Sequence, residues 1–304
     1  MEWRSAGLSW ADRERPVLVW ERGDVSPLVV GRRVGFRALG RRECVGARGN
    51  ACPVAAVVPG RGTQARCAEC ARLDRAHSVA ADTIADDPRT YRVYLAWFGA
   101  GMVKVGITRE ERGATRLLEQ GAVAFVWLGR GPLMAARRAE ELLRVALGVP
   151  DRISYARKRA VRAALPGVEE RRRELERMYG FALALDGWPE SLERVALGER
   201  GAGGRNVVDH GVVDHGELFG VERLGGVGGF AVTELVDGGV VLGDLVAVAG
   251  PDLYLDDGGF GGGDGRLVVL DSRLLRGWRL EGARGAERTT VPVREVPVVQ
   301  GGLF

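Results

Sequence analysis

Four cysteines, Cys44, Cys52, Cys67 and Cys70, fall in one window of a 304-residue chain that has no other thiol. The last two make a tight turn, Cys67-Ala-Glu-Cys70. Such a turn presents two sulfurs on one side of a knuckle, and a second pair closes a tetrahedral shell around one soft ion. The spacing predicts a structural zinc site with these four ligands. The first pair is looser, with seven residues between Cys44 and Cys52. His77, seven residues past Cys70, is a substitute ligand on spacing alone, though a solvated surface histidine is the simpler account. Two disulfides would also use four thiols, but they need an oxidising compartment. The N-terminus, Met1-Glu2-Trp3-Arg4, leads into a charged stretch without the apolar core of a signal peptide.

Composition is that of a folded soluble protein, 46% hydrophobic and 28% charged. No apolar run approaches the roughly 20 residues needed to span a bilayer, so a cytoplasmic protein with no membrane partner is expected. The net charge is only +4, but it is uneven. Residues 100–180 hold 17 Lys and Arg against 10 Asp and Glu, while residues 201–304 hold 9 against 15. A basic middle points to an anionic partner. Lys104 and Lys158 are the only lysines, and arginine grips phosphate through a two-pronged fork. A GC-rich genome would produce the same arginine excess.

Residues 16–38 read as short strands punctuated by Gly and Pro, leading into Cys44. A β-rich scaffold beside a thiol cluster resembles a zinc ribbon in outline. A short helix is expected over residues 71–82, broken at Asp86-Asp87-Pro88. Two strands, Tyr91–Phe98 and Met102–Thr108, flank Gly99-Ala-Gly101 and predict an antiparallel hairpin. Helical periodicity covers Arg109–Gln120, a strand covers Ala122–Leu128, and an amphipathic helix covers Leu133–Leu147. Two more helices fit 153–165 and 168–179. Short apolar runs from Phe230 to Leu280, separated by glycine turns, predict a small barrel or sandwich. The Gly258–Gly265 loop lacks the Gly-Lys-Ser/Thr ending of a phosphate cradle and reads as a hairpin tip. The sequence Val-Val-Asp-His-Gly occurs twice in tandem, at 207–211 and 212–216. Asp209, His210, Asp214 and His215 are metal-ligand types, but a slipped duplication explains them more simply.

The expected architecture is α+β. It comprises a β-rich module with the four-cysteine zinc site over 1–88, an α/β domain over 89–182, a linker over 183–206 and a small barrel-like domain over 207–304. In the middle domain, Val93-Tyr94-Leu95, the hairpin, Lys104-Val105-Gly106-Ile107-Thr108 and then Arg116 resemble a GIY-YIG domain. That resemblance implies a small antiparallel sheet with helices, cutting of phosphodiester bonds with one divalent ion, and a site made of Tyr94, Lys104, Arg116 and Glu140. Mg or Mn would sit at Glu140. Three features depart from the pattern: Arg92 stands where the first triplet has its glycine, Lys104 replaces a tyrosine, and the gap from Thr108 to Arg116 is longer. More closely, residues 30–280 resemble a bacterial family of uncharacterised proteins, a domain of unknown function. Its members combine a cysteine cluster, the Lys-Val-Gly-Ile-Thr-Arg hairpin and a β-rich C-terminus.

The residues can also be read without the family. Arg112, Arg116 and Gln120 would line one face of a helix at four-residue steps. Glu140 falls with Ala136, Leu143 and Leu147 on or beside the apolar face, whereas Glu141 clusters with Arg137, Arg138 and Arg144. A carboxylate on an apolar face needs a cation or a metal, and Arg116 is the candidate neighbour. The expected function is nucleic-acid interaction, with DNA or RNA as partner, by a degenerate or non-catalytic GIY-YIG-like domain. The alternatives are a Mg-dependent endonuclease and a structural, partner-binding zinc protein without nucleic acid.

Overall fold

The structure, a computed structural model, describes residues 2–12, 15–76, 87–197, 211–226, 228–258, 266–284 and 288–297. In chain order the first strands are β1 (Trp3–Ser9), β2 (Val17–Trp20), β3 (Val25–Pro27) and β4 (Arg33–Leu39), followed by helix α1 (Ala68–Ala76). The middle contributes β5 (Thr90–Trp97), β6 (Val103–Arg109), α2 (Thr115–Gln120), β7 (Ala124–Pro132), α3 (Leu133–Ala146), α4 (Tyr155–Arg162) and α5 (Val168–Leu183). Two short strands, β8 (Glu193–Arg194) and β9 (Val213–Asp214), lead to α6 (Gly216–Phe219). The last strands are β10 (Gly229–Val232), β11 (Val240–Ala249), β12 (Asp252–Asp256), β13 (Leu267–Asp271), β14 (Arg279–Gly282) and β15 (Val293–Val296).

These elements fall into two compact units. One joins Met1–Thr83 to Gly226–Pro297, and the other is built from Ile84–Gly225. The first carries a ten-stranded sheet in the order β15-β10-β13-β12-β11-β4-β14-β1-β2-β3. Among the described strand pairs of this sheet, only β10 and β13 run parallel. Of the barrel or sandwich expected at the C-terminus, the closed barrel does not form: among the described residues the sheet is open. The reason is that β4 pairs with both β11 and β14, and β1 pairs with β14, so N-terminal strands occupy positions that a self-contained barrel would close. β12 and β13 are buried along nearly their whole length, which is why they read as continuous apolar runs rather than alternating ones.

A buried arginine ties the two chain segments of this unit together. Arg42 is 1% exposed. Its Nε donates to the Arg276 carbonyl at 2.9 Å, Nη1 to the carbonyls of Pro59 and Gly62 at 2.9 Å each, and Nη2 to that of Arg273 at 3.2 Å. Burial, with help from neighbouring Arg276, pushes its pKa down to about 10. Backbone bonds on either side follow the same line: Glu43 N–H donates to Gly277 O, and Val58 N–H to Arg42 O. Gly277 has φ +81°, and a Cβ there would meet Glu43 O at 2.2 Å, so only glycine permits the approach.

The second unit is a five-stranded sheet in the order β6-β5-β7-β8, with β9 also on β7. The antiparallel hairpin forms as expected, with Tyr94 facing Gly106 and Ala96 facing Lys104. Trp97, Phe98 and Trp127 are core residues. Glu174 of α5 closes the hairpin from outside, accepting from Trp97 Nε1 at 2.7 Å and from Gly101 N–H at 2.9 Å. Residues 183–197, expected as linker, are tied to the sheet: Val195 N–H donates to Leu128 O, and Tyr179 Oη donates to Val195 O at 2.6 Å. The remainder of that stretch, 198–206, lies outside the described residues. No described helix is long and apolar enough to cross a membrane.

Replacing Arg42 by Met keeps the apolar stem but strands buried carbonyls. The variant should lose about 3 kcal/mol or more of unfolding free energy, read as a lower urea midpoint at unchanged slope.

Candidate functional site

The four sulfurs of Cys44, Cys52, Cys67 and Cys70 lie within 4.8 Å of one another. Four thiolates around one zinc-sized ion at about 2.3 Å would sit roughly 3.8 Å apart, so the thiols already stand within about 1 Å of that spacing. Each half is shaped by its backbone. Gly46, two residues past Cys44, has φ +77°, and a Cβ there would strike Asn50 O at 1.9 Å. Ala55 closes the Cys52 turn at φ 41°, its N–H donating to Cys52 O at 3.1 Å. Cys67 immediately precedes α1, and Cys70 sits in its first turn, where the helix end favours negative charge. Cys67 N–H and Gly46 N–H both point at Cys44 Sγ, at 3.2 and 3.4 Å. The N–H groups of Ala56 and Val54 hold Cys52 down to about 7, whereas burial pushes the Cys70 thiol up to about 12. The cluster suits a single metal ion. The segment between β4 and α1 is held by isolated bridges, Glu43 to Val57 and Ala47 to Asn50. His77 lies outside the described residues.

The second cluster is on the hairpin. Tyr94 and Lys104 share one face of the sheet, because their register partners Gly106 and Ala96 do. Lys104 Nζ lies 5.8 Å from the Tyr94 ring centroid. Tyr94 is 2% exposed. Its hydroxyl accepts from Gln120 Nε2 at 3.0 Å, and its ring packs over Gly106, where a Cβ would come within 2.5 Å of the hydroxyl. Lys104 is buried and donates to Asp151 O at 3.3 Å. Burial and then Arg116 push it down to about 8, while Glu140 and Asp151 oppose the shift. Glu140, half-buried at the edge of α3, is pushed up by burial and drawn down chiefly by Lys104. Both Arg116 and Glu140 act electrostatically on Tyr94. The structure therefore brings Tyr94, Lys104, Arg116 and Glu140 into one neighbourhood. It does not form an Arg116–Glu140 pair: exposed Arg116 lies 3.6 Å from Glu119, and Glu140 has no hydrogen bond or ion pair among the described residues.

Helix α2 is shorter than its periodicity suggests, since a 3-10 turn at Glu110–Arg112 and Gly113 at φ 44° precede it. Arg112 lies in that turn, outside α2, and pairs with Glu119, the same carboxylate that Arg116 approaches. What fixes α2 is α4, which places a donor on each of three carbonyls at its C-terminal end. Tyr155 Oη donates to Glu119 O at 3.3 Å, Lys158 Nζ to Gln120 O at 2.9 Å, and Arg162 Nη2 to Gly121 O at 2.9 Å. Lys158 is also sandwiched between Phe98 and Tyr155, 4.0 and 4.5 Å from their ring centroids. Cations at a helix C-terminus complement its dipole. Gln120, Asp151 and Lys158 were not marked as site residues by the sequence. Gln120 had a signal, four residues past Arg116, but buried lysine and arginine on a basic helix have none.

Part of the positive excess of the middle is offset by acids from outside it: Arg130 pairs with Glu193, and Arg171 with Asp214 and Glu222. The second copy of the tandem repeat is structural. Asp214 faces buried Arg171 at 3.4 Å, and the His215 ring lies between Phe125 and Phe219 with Nδ1 2.9 Å from Ala122 O. Asp209 and His210 lie outside the described residues.

The chain belongs to the family described as protein of unknown function (DUF2797), whose model matches residues 31–280. No curated protein and no solved structure matches it.

Purified protein should carry about one tightly held metal ion per chain. A chelator, or Cys70→Ser, should lower its thermal midpoint by several degrees. Lys104 generates a pH signature. Its folded pKa of about 8 lies below its ordinary 10.5, so a buried charge weakens the fold below pH 8. Between those values the unfolded chain binds the extra proton, and stability rises with pH. Urea midpoints at about pH 7 and about pH 10, compared with Lys104→Met, should show that this rise is smaller in the variant.

Proposed function

We propose that this protein interacts with DNA or RNA through its central unit, a GIY-YIG-like domain that holds a phosphodiester without cutting it, and that the cysteine cluster carries structural zinc. The observation that carries this is the gathering of Lys104, Arg116 and Glu140 around Tyr94, the positions that the GIY-YIG resemblance picks out. An exposed guanidinium beside a buried ammonium is a phosphate-binding pair: Arg116 offers a fork to two oxygens, and Lys104 adds charge from below. Binding phosphate near Lys104 would favour its protonated form. The absence of cleavage is supported by Tyr94, whose hydroxyl is covered and held by Gln120, and by the lysine that stands in place of a second phenol. Zinc is supported by an all-sulfur donor set.

A second reading, Mg- or Mn-dependent phosphodiester cleavage, is favoured by Glu140. A half-buried carboxylate without hydrogen bond or ion pair among the described residues fits a hard cation that keeps most of its waters. The bound ion would supply Lewis-acid stabilisation of the phosphoryl oxygens. Arg116 would then neutralise charge building on the phosphoryl group. Tyr94 would reach a water only after Gln120 releases its hydroxyl.

The test is fluorescence anisotropy with labelled single- and double-stranded DNA and RNA across a salt series. Arg116→Ala should weaken binding about tenfold and lower the salt slope by about one. Incubation with Mg²⁺ or Mn²⁺ should leave plasmid, branched DNA and RNA intact. Cleavage that Glu140→Ala abolishes would establish the second reading. Absence of salt-dependent binding to every substrate would overturn both.

A further inference from the structure

The first unit contains a cavity of about 570 Å³ between β1, the β2–β3 turn and β14. That volume lies within the roughly 300–1,000 Å³ of small-ligand sites. Its wall is aromatic: Trp3 and Trp20 meet with ring centroids 5.6 Å apart and planes tilted by 44°. Trp20 is locked, its Nε1 donating to Ser26 Oγ at 2.9 Å and its ring 6.4 Å from Phe36. Trp3 is the half-exposed member that a ligand can cover. The rim is charged and balanced. Arg4 is engaged by Glu43 at 2.8 Å and Arg279 by Glu2 at 3.3 Å. Arg22, Glu21 and Asp24, on the turn facing the indoles, make no side-chain hydrogen bond or ion pair among the described residues.

These features select a ligand class. An apolar ligand would leave three charges facing it without partners. A quaternary ammonium ion suits the indoles and the carboxylates but offers nothing to Arg22. A bare polyanion meets two unpaired carboxylates. A planar heterocycle with N–H donors on one edge and an anion on the other side satisfies all three elements. Its ring stacks on Trp3, its N–H groups donate to Glu21 or Asp24, and its phosphate meets Arg22. We infer that this cavity binds a purine nucleotide, free or as an unpaired residue of a single strand. The site belongs to the first unit alone, and its inference does not rest on the Glu140 site. A nucleotide's phosphate could also meet Arg116, so the Arg22 and Trp3 substitutions, both in this cavity, read it separately.

Titration of GMP and AMP into the full chain, followed by calorimetry and by tryptophan fluorescence, tests it. Saturable binding with quenching and a dissociation constant of about 1 mM or tighter is expected. Arg22→Glu, on an exposed turn where folding is not at stake, should weaken the nucleotides about tenfold and leave the uncharged nucleosides much less affected. Trp3→Ala should abolish the quenching. Tighter binding of a short purine oligonucleotide than of the monomers assigns the source to a strand, and equal affinity assigns it to the free nucleotide. Either supports the site. No saturable binding of any purine nucleotide at millimolar concentration, or binding indifferent to both substitutions, overturns it.

Discussion

One guanidinium with no carboxylate partner among the described residues holds the larger unit together. Arg42 gives its donors to carbonyls of the 59–62 turn on one side and of the 273–276 turn on the other. A charge buried this deeply is costly unless every N–H finds an acceptor. The backbone must therefore come to it. Because Arg42 lies two residues before Cys44, the same clamp sets where the cysteine loop leaves the sheet. The Glu43 to Gly277 backbone bond and the steric demand for glycine at 277 follow from that approach. The thiol cluster is in this sense downstream of the arginine.

Local pattern carried the central hairpin and α3 from the sequence. Apolar runs around Gly99-Ala-Gly101 and a 3.6-residue period from Leu133 are short-range signals, and the antiparallel β5–β6 pair and α3 match them. The gathering of four cysteines was legible for the same reason, since ligand spacing is a local property. The assembly of β4 between β11 and β14 was not. Nothing in Arg33–Leu39 specifies that its partners stand some two hundred residues away, so its strands read as a separate module. β15 was missed because its exposed, charged middle, Arg294 and Glu295, lacks an apolar run.

The hairpin site shows the complementary limit. The GIY-YIG resemblance picked out Tyr94, Lys104, Arg116 and Glu140, but it could not say how each is occupied. Gln120 claims the phenol, Glu119 draws Arg116, and α4 fixes α2 through buried cations that a basic helix would ordinarily show to water. Lys158 and Arg162 contribute to the positive count of the middle, yet both are interior donors. Net charge along a chain counts such residues as surface. Together with Arg130 and Arg171, which are matched by acids outside the segment, they leave its outward field smaller than its composition implies.

The discontinuity of the larger unit also bears on how the chain is made. β4 leaves the ribosome long before β11 and β14, the strands on either side of it. At about 5–20 residues per second, the delay between Leu39 and Gly282 is roughly 10–50 seconds. During that interval the outer edge of β1 and both edges of β4 are unsatisfied, whereas the middle unit can fold as soon as it emerges. Nascent protein thus passes through a stage with a finished centre and waiting ends, in which early compaction around the thiols, or a chaperone on the bare edges, would guard against pairing with a neighbouring chain.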